Sequence, residues 1–494
     1  VRRLGEEGLI AFGEVRPVDL SIATPEFRRG LVERYDVPGP RYTSYPTANH
    51  FHPGFGAGEY ARAVAQANAE PIPRDLSLYV HVPFCASPCF YCGCTRLITR
   101  SREQGEAYLA RLESEIGLQG ALYARDRRAR QVHFGGGTPT FLDVDQIGRV
   151  MAWLGRAFRL DAGEGREFAI EIDPRTVDPA ALPALAELGF NRASFGIQDF
   201  DPAVQAAVNR IQPFELTRDV VAAARGAGFG SLNVDLIYGL PRQSLAGFTA
   251  TLDRVLELAP DRIAAYSYAH LPALFKPQRR IDAAELPDAA TKLGLLELTV
   301  RRLVDAGYVY IGMDHFARPD DGLARALAGG TLRRNFQGYT AHGDVDIVGM
   351  GLSAIGAVGD AYAQNAKTLH EYYAALDEGR LPVVRGIALD ADDVRRRALI
   401  ERLLCQGRID FASFDAEFGT AFARDFATEL AELARLEADG LLAIDGRGIS
   451  IPPVGRLLMR VPAMAFDARL RAARAAAAKA ADPVAAAPRF SKVV

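Results

Sequence analysis

The residues with the densest chemical capacity are Cys85, Cys89, Cys92 and Cys94, four of the chain's five cysteines. They directly follow the apolar run of residues 78–82, which places them on the loop leaving an expected strand. Soft thiolates at short spacing select zinc, copper(I) or iron–sulfur clusters. Structural zinc sites commonly use two Cys-x-x-Cys knuckles that are well separated in sequence. Here the spacing is Cys-x3-Cys-x2-Cys, and Cys94 lies too close to Cys92 to wrap a fourth thiolate easily around the same centre. Three thiolates on one loop suit a [4Fe–4S] cluster with one iron left open, as a catalytic centre needs. Zinc remains the alternative on spacing. Cys405, on an apolar helical face, reads as a buried core cysteine.

The elements that must position this loop follow a regular alternation from residue 59 onward. Strands are expected at 76–82, 131–134, 168–172, 192–197, 231–237 and 262–269. Helices are expected at 59–69, 103–121, 146–158, 179–188, 202–208, 216–227 and 245–258. Strands alternating with helices mean parallel βαβ units with right-handed crossovers. Six such units predict an α/β fold, a partial (β/α)6 barrel. Each strand also ends in residues with chemical capacity. Cys85 follows the first, Gly135-Gly136-Gly137-Thr138-Pro139 the second, and Glu171 with Asp173 close the third. Gln198 and Asp199 follow the fourth, Asp235 lies in the last part of the fifth, and His270 follows the sixth. Barrels carry their active sites at the C-terminal strand ends, whereas a doubly wound sheet concentrates such groups at one switch point. Distribution over six ends favours the barrel.

The flanking sequence is less regular. Residues 1–50 read as an extended N-terminal arm, with prolines and glycine excluding a helix around Pro38-Gly39-Pro40. Its tyrosines and arginine suit packing over a pocket or a surface linker equally. Residues 51–370 form the expected barrel domain, with a further strand and polar loop at 308–316 and glycine-punctuated loops at 335–339 and 349–356. Residues 371–494 form a mainly helical C-terminal domain with a short hairpin around Asp445-Gly446, winged-helix-like in outline and read as a packing or lid domain. Residues 463–487 read as an alanine-rich marginal helix or tail.

Composition bounds the rest. The chain has 494 residues, is 49% hydrophobic and carries a formal charge of −3, so no global basic field favours nucleic acid. No apolar run is long enough for a transmembrane helix and no secretory signal is visible. Cysteines in one cluster differ from a secreted disulfide framework. The expectation is a cytoplasmic monomer without membrane insertion or a nucleic-acid partner.

With Tyr91 before the third cysteine, the Cys-x3-Cys-x2-Cys loop resembles the radical S-adenosylmethionine superfamily. Further stretches sharpen the likeness: Pro40-Arg41-Tyr42-Thr43-Ser44-Tyr45-Pro46-Thr47, Tyr79-Val80-His81-Val82-Pro83-Phe84-Cys85, the extra Cys94, and Gly135-Gly136-Gly137-Thr138-Pro139-Thr140. Phe195-Gly196-Ile197-Gln198-Asp199-Phe200, Tyr268-Ala269-His270-Leu271-Pro272 and Gly312-Met313-Asp314-His315-Phe316 add to it. Together they resemble the oxygen-independent coproporphyrinogen III oxidase family, from about residue 31 to Lys492.

The resemblance implies two oxidative decarboxylations of coproporphyrinogen III, converting propionates to vinyl groups and giving protoporphyrinogen IX in haem biosynthesis. It implies a [4Fe–4S] cluster ligated by Cys85, Cys89 and Cys92, and two molecules of S-adenosylmethionine. The positions that match the family's S-adenosylmethionine contacts are Tyr79, Tyr91, Gly136, Gly137, Thr138, Glu171, Gln198, Arg210, Asp235, Ala269 and Ile355. Cys94 and His81 match positions that mark the family and are expected to serve turnover rather than cluster ligation. An unidentified electron donor is also implied. The rival is a haem chaperone built on the same barrel; that group typically lacks the fourth cysteine and the Arg-Tyr-Thr-Ser-Tyr-Pro-Thr arm, and both are present here. A zinc-stabilised (β/α) protein is the third reading.

Overall fold

The computed structural model describes residues 24–480 and 490–493. Residues 1–23 of the expected arm and residues 481–487 of the alanine-rich stretch therefore lie outside the described residues. The chain divides into two compact units. Of the described residues, 48–299 and 344–389 make one, and 24–47, 300–343, 390–480 and 490–493 the other.

The first unit contains the expected parallel strands: β1 (Asp75–Val82), β2 (Arg128–Gly136), β3 (Glu167–Ile172), β4 (Arg192–Gln198), β5 (Ser231–Tyr238) and β6 (Arg262–Ser267). They lie in the order β6-β5-β4-β3-β2-β1, every pairing parallel. Further strands extend the sheet beyond β1. Val345–Met350, β7, pairs in parallel with β1, and antiparallel β8 (Ile355–Val358), β9 (Ala361–Asn365) and β10 (Val383–Ala388) continue the sheet. The order is linear, an open α/β sheet of the partial-barrel kind.

Residues 349–356 were expected to be loop because glycines punctuate them; instead they span the end of β7 and the start of β8. The physical reason is close packing. A Cβ on Gly349 would lie 2.6 Å from the Ile355 carbonyl oxygen, so this glycine marks backbone approach within a sheet.

Local sequence explains the elements. In β3, Phe168, Ile170 and Ile172 are buried while the alternate positions are half-buried, the period of a strand. The buried set continues through Val80, Phe134, Phe195 and Val234 on the neighbouring strands, making the core. Between β1 and β2, helix Arg102–Leu122 starts at Ser101, whose hydroxyl accepts from Gln104 N. It buries Tyr108, Leu112 and Ile116 at helical spacing. After β2, helix Val144–Ala157 opens with a reciprocal Asp143–Gln146 capping box and buries Ile147, Val150, Met151 and Leu154.

The second unit is built around aromatic packing. Phe414, Phe422, Phe426 and Phe466 are buried together, with Phe411 and Phe422 stacked at 4.2 Å. Phe414 comes from helix Phe411–Phe418 and Phe422 from helix Phe422–Asp425, and Phe426 links the latter to helix Ala427–Ala438. Phe466 follows helix Arg460–Ala465, and helix Ala391–Gln406 adds Leu399 and Leu403 to the same core. The expected hairpin gains a third strand, Arg408–Asp410, in the order 408–410, 448–450, 443–444. The expected strand at 308–316 is a hairpin, Val309–Gly312 with His315–Ala317. Cys405 is fully buried in an apolar cluster with Ile311, Leu327 and Tyr339, as a core cysteine should be.

Residues 38–47 are not a surface linker. Tyr42 and Tyr45 are buried in the aromatic core, and the Tyr42 hydroxyl donates to Asp467 Oδ2 at 2.9 Å. Buried Arg460 donates to the carbonyls of Pro40 (2.9 Å), Lys492 (3.1 Å) and Val493 (2.9 Å), and also to that of Gly39. One guanidinium thus binds two chain segments that are remote in sequence.

Candidate functional site

The strand period and register gather the site. Tyr79 on β1 stands opposite His133 on β2, and their rings stack at 5.7 Å. Glu171 stands opposite Ser194, Ser194 opposite Asn233, and Gly196 opposite Asp235. These residues occupy the face not used by the apolar core, so a polar band crosses five adjacent strands.

Within the band each polar group has partners. His133 Nε2 lies 3.1 Å from Glu171 Oε1, and Gly136 N donates to Glu171 Oε2 at 3.2 Å. Asp235 accepts from Ser194 Oγ at 3.1 Å and from Asn233 Nδ2 at 2.9 Å. Burial, with the nearby Glu171 charge, pushes the Asp235 carboxyl up to about 6 despite those donors. The Tyr79 hydroxyl lies 3.1 Å from His81 Nδ1, and His81 Nε2 lies 3.0 Å from the Thr95 carbonyl. Because a carbonyl only accepts, Nε2 carries the proton and Nδ1 accepts from tyrosine. Burial also lowers the His81 pKa, favouring this neutral ring.

The cysteine loop lies above these strand ends. Cys85 Sγ is 3.4 Å from Thr138 Oγ1, joining the ends of β1 and β2. Gly136 has φ +118°, and a Cβ there would fall 2.8 Å from the His81 ring; the turn requires glycine. Arg96 closes the loop from beneath, donating to the carbonyls of Cys89 (3.1 Å), Cys92 (3.0 Å) and Cys94 (3.4 Å). Cys94 is exposed, and its N–H approaches Cys92 Sγ at 3.5 Å. The Cys94 thiol hydrogen-bonds to Cys92 and, with Arg96 helping against burial, brings the Cys92 thiol down to about 6. Burial pushes Cys85 up to about 11.

Other candidates converge from the remaining strands. Arg210 donates to the Gly196 carbonyl at 2.6 Å, to Asp173 at 3.2 Å and to Cys89 Sγ at 3.5 Å. Gln198 closes β4 with φ +70°. Gln278 donates to the carbonyls of both Tyr91 (2.9 Å) and Ala269 (3.2 Å), bringing those two candidates together. Ile355 enters beside Gly349, the register partner of Tyr79. Gly137 passes within 2.8 Å, by its absent Cβ, of the Phe84 carbonyl and donates its N–H to Val82. Asp199 stands apart: its carboxylate accepts from Thr251, Gln243 and Asp201 N, a satisfied structural group.

Sequence reasoning missed Arg96, Arg175, Gln278 and the His133–Ser194–Asn233 part of the band. The last had a signal, since those three share strand parity with the recognised residues. Arg96 and Arg175, on irregular segments, and Gln278, in the short 3-10 helix Lys276–Arg280, had none.

The donor set fits an iron–sulfur cluster. Cys85, Cys89 and Cys92 are free thiols on one loop, and the guanidiniums of Arg210 and Arg175 each donate to Cys89 Sγ at 3.5 Å. Among the described residues no three His, Cys, Asp or Glu side chains group closely enough for a single ion. A cluster differs in distributing its thiolates over several irons.

Comparison with known proteins accords with this geometry. Residues 79–255 match the radical SAM superfamily, and residues 389–458 match the HemN C-terminal domain. The fold and cysteine site thus define a radical S-adenosylmethionine protein with a [4Fe–4S] cluster. The oxygen-independent coproporphyrinogen III oxidase of Pseudomonas aeruginosa is 48% identical, covering 88% of this chain and 95% of that protein. That of Escherichia coli K12 is 46% identical, covering 92% and 97%. The solved coproporphyrinogen III oxidase (HemN) of Escherichia coli, described as a radical SAM enzyme, superposes with TM-score 0.86 at 45% identity, covering 90% of this chain and 100% of that one. The chain belongs to the oxygen-independent coproporphyrinogen III oxidase family.

Proposed function

We propose that this protein oxidatively decarboxylates two propionates of coproporphyrinogen III to vinyl groups, forming protoporphyrinogen IX without oxygen. The observation that carries the reading is the meeting of the three-cysteine loop with the Tyr79–Glu171–Asp235 band at the strand ends. Family membership over about nine-tenths of the chain supplies the substrate.

Cys85, Cys89 and Cys92 hold the cluster in this reading. When bound, the cluster would supply one electron for reductive cleavage of S-adenosylmethionine, the radical chemistry that oxidative decarboxylation of a propionate needs. The chain's own residues bind, orient and exclude water. The reading assigns two S-adenosylmethionine molecules to Tyr79, Tyr91, Gly136, Gly137, Thr138, Glu171, Gln198, Arg210, Asp235, Ala269 and Ile355. Carboxylates suit ribose hydroxyls or an ammonium, and Arg210 suits a carboxylate. Cys94 serves turnover, supported by its position beside Cys92 on the exposed side of the loop. His81 serves turnover by fixing Tyr79 against Thr95. We take the protein to be a cytoplasmic monomer fed by a separate electron donor. No helix among the described residues is long and apolar enough to cross a membrane.

Anaerobic reconstitution with iron and sulfide, followed by incubation with S-adenosylmethionine, reductant and coproporphyrinogen III, tests the reading. It predicts brown protein, 5′-deoxyadenosine and carbon dioxide. Haem binding without decarboxylation would refute it and favour a chaperone.

A further inference from the structure

Cys89 differs from the other two proposed ligands in what surrounds its sulfur. Arg210 Nη1 and Arg175 Nη2 each donate to Cys89 Sγ at 3.5 Å. The Cys85 sulfur meets a neutral hydroxyl; the Cys92 sulfur meets Cys94, with the charges of Arg96 and Arg210 acting on it without a hydrogen bond. Arg175 lies beyond the end of β3 and matches none of the motifs that mark the cofactor site.

Asp173 holds the two guanidiniums together. Arg175 donates to it from Nε at 3.0 Å and from Nη2 at 2.7 Å, the forked geometry that fixes a guanidinium plane. Arg210 Nη1 binds the same carboxylate at 3.2 Å. Side-chain exposures are 20% for Arg175, 7% for Arg210 and 10% for Asp173, so water screens this group weakly. Burial alone would raise the Asp173 carboxyl, yet the two arginines hold it below its ordinary value. Two cations and one anion leave a net positive charge beside one sulfur. Asp173 fixes that charge in place whether or not a cofactor carboxylate draws on Arg210.

We propose that Arg175 is a positioning residue for the cluster. With Asp173 and Arg210 it makes Cys89 the electropositive corner, favouring the reduced and more negative cluster and raising its potential. The physical basis is that net charge and hydrogen bonds to ligand sulfurs set iron–sulfur potentials. The inference rests on the cluster assignment made above.

The test is the midpoint potential of the reconstituted full-length protein, followed by EPR during dithionite titration, with iron and sulfide content measured in parallel. Arg175→Gln removes the charge; Arg175→Lys keeps it while losing the fork. The expected result is near-normal iron in Arg175→Gln and a reduction equilibrium about tenfold less favourable, or 59 mV more negative for one electron. Arg175→Lys should recover part of that shift. Unchanged potential with intact iron overturns the proposal. Loss of iron from both variants also overturns it, since Arg175 would then be structural. A wild-type chain that takes up no cluster overturns the cluster assignment itself, and the inference with it.

Discussion

The backbone N–H of Gly351 donates to Glu115 Oε2 at 2.7 Å, fastening the turn after β7 to a carboxylate buried in helix Arg102–Leu122. The same carboxylate accepts from Tyr372 OH at 2.5 Å and Asn365 Nδ2 at 2.6 Å. Beside it, the Tyr108 hydroxyl donates to the His81 carbonyl at 2.6 Å and accepts from Leu352 N at 3.0 Å. This network joins the end of β1, which carries His81 and Tyr79, to the turn that leads into Ile355.

Burial pushes Glu115 up to about 7, against the pull of its three donors. A carboxyl raised on folding contributes stability that is complete below its unfolded value near 4.3 and lost as pH rises through about 7. Relative to Glu115→Gln, the wild type should lose roughly 3 kcal/mol between about pH 4 and about pH 8. Urea unfolding at both pH values measures this; parallel pH profiles would contradict it.

Gly136→Ala should be costly. The residue would sit at φ +118° with its Cβ 2.8 Å from the His81 ring. A loss of about 2 kcal/mol in stability is expected from the backbone alone. Binding of S-adenosylmethionine, measured calorimetrically on the reconstituted protein, should weaken by more than tenfold (about 1.4 kcal/mol). Wild-type affinity would show that the turn tolerates a side chain.

Cys94→Ser separates ligand from non-ligand. Iron content should stay near that of the wild type while product formation disappears. Iron analysis together with a porphyrin assay distinguishes the outcomes, and loss of the cluster would place Cys94 among the ligands.

Arg460→Ala should leave the carbonyls of Gly39, Pro40, Lys492 and Val493 without their buried donor. A loss of about 3 kcal/mol is expected, visible as a lowered thermal midpoint. Arg460→Lys should recover only part, because one ammonium cannot reproduce the fork. A midpoint equal to the wild type's would show that these contacts add nothing.

The sequence by itself determined the parallel strands β1–β6, because apolar period and glycine-proline punctuation are local properties of the chain. It also singled out the cysteine loop, whose spacing is a local constraint, and the strand-end carboxylates, whose side-chain parity follows from the pleat. Tertiary structure decided the rest. β7 was hidden because Gly349 looks like a loop residue until Ile355 is seen passing against it. The burial of Tyr42 and Tyr45 depends on Arg460 and Asp467, more than four hundred residues along the chain. The pairing of Arg175 with Arg210 on Cys89 arises only when the ends of β3 and β4 are brought beside the loop that follows β1. Short-range pattern specifies which elements form, but charge placed on one sulfur by three separate segments exists only once those segments pack.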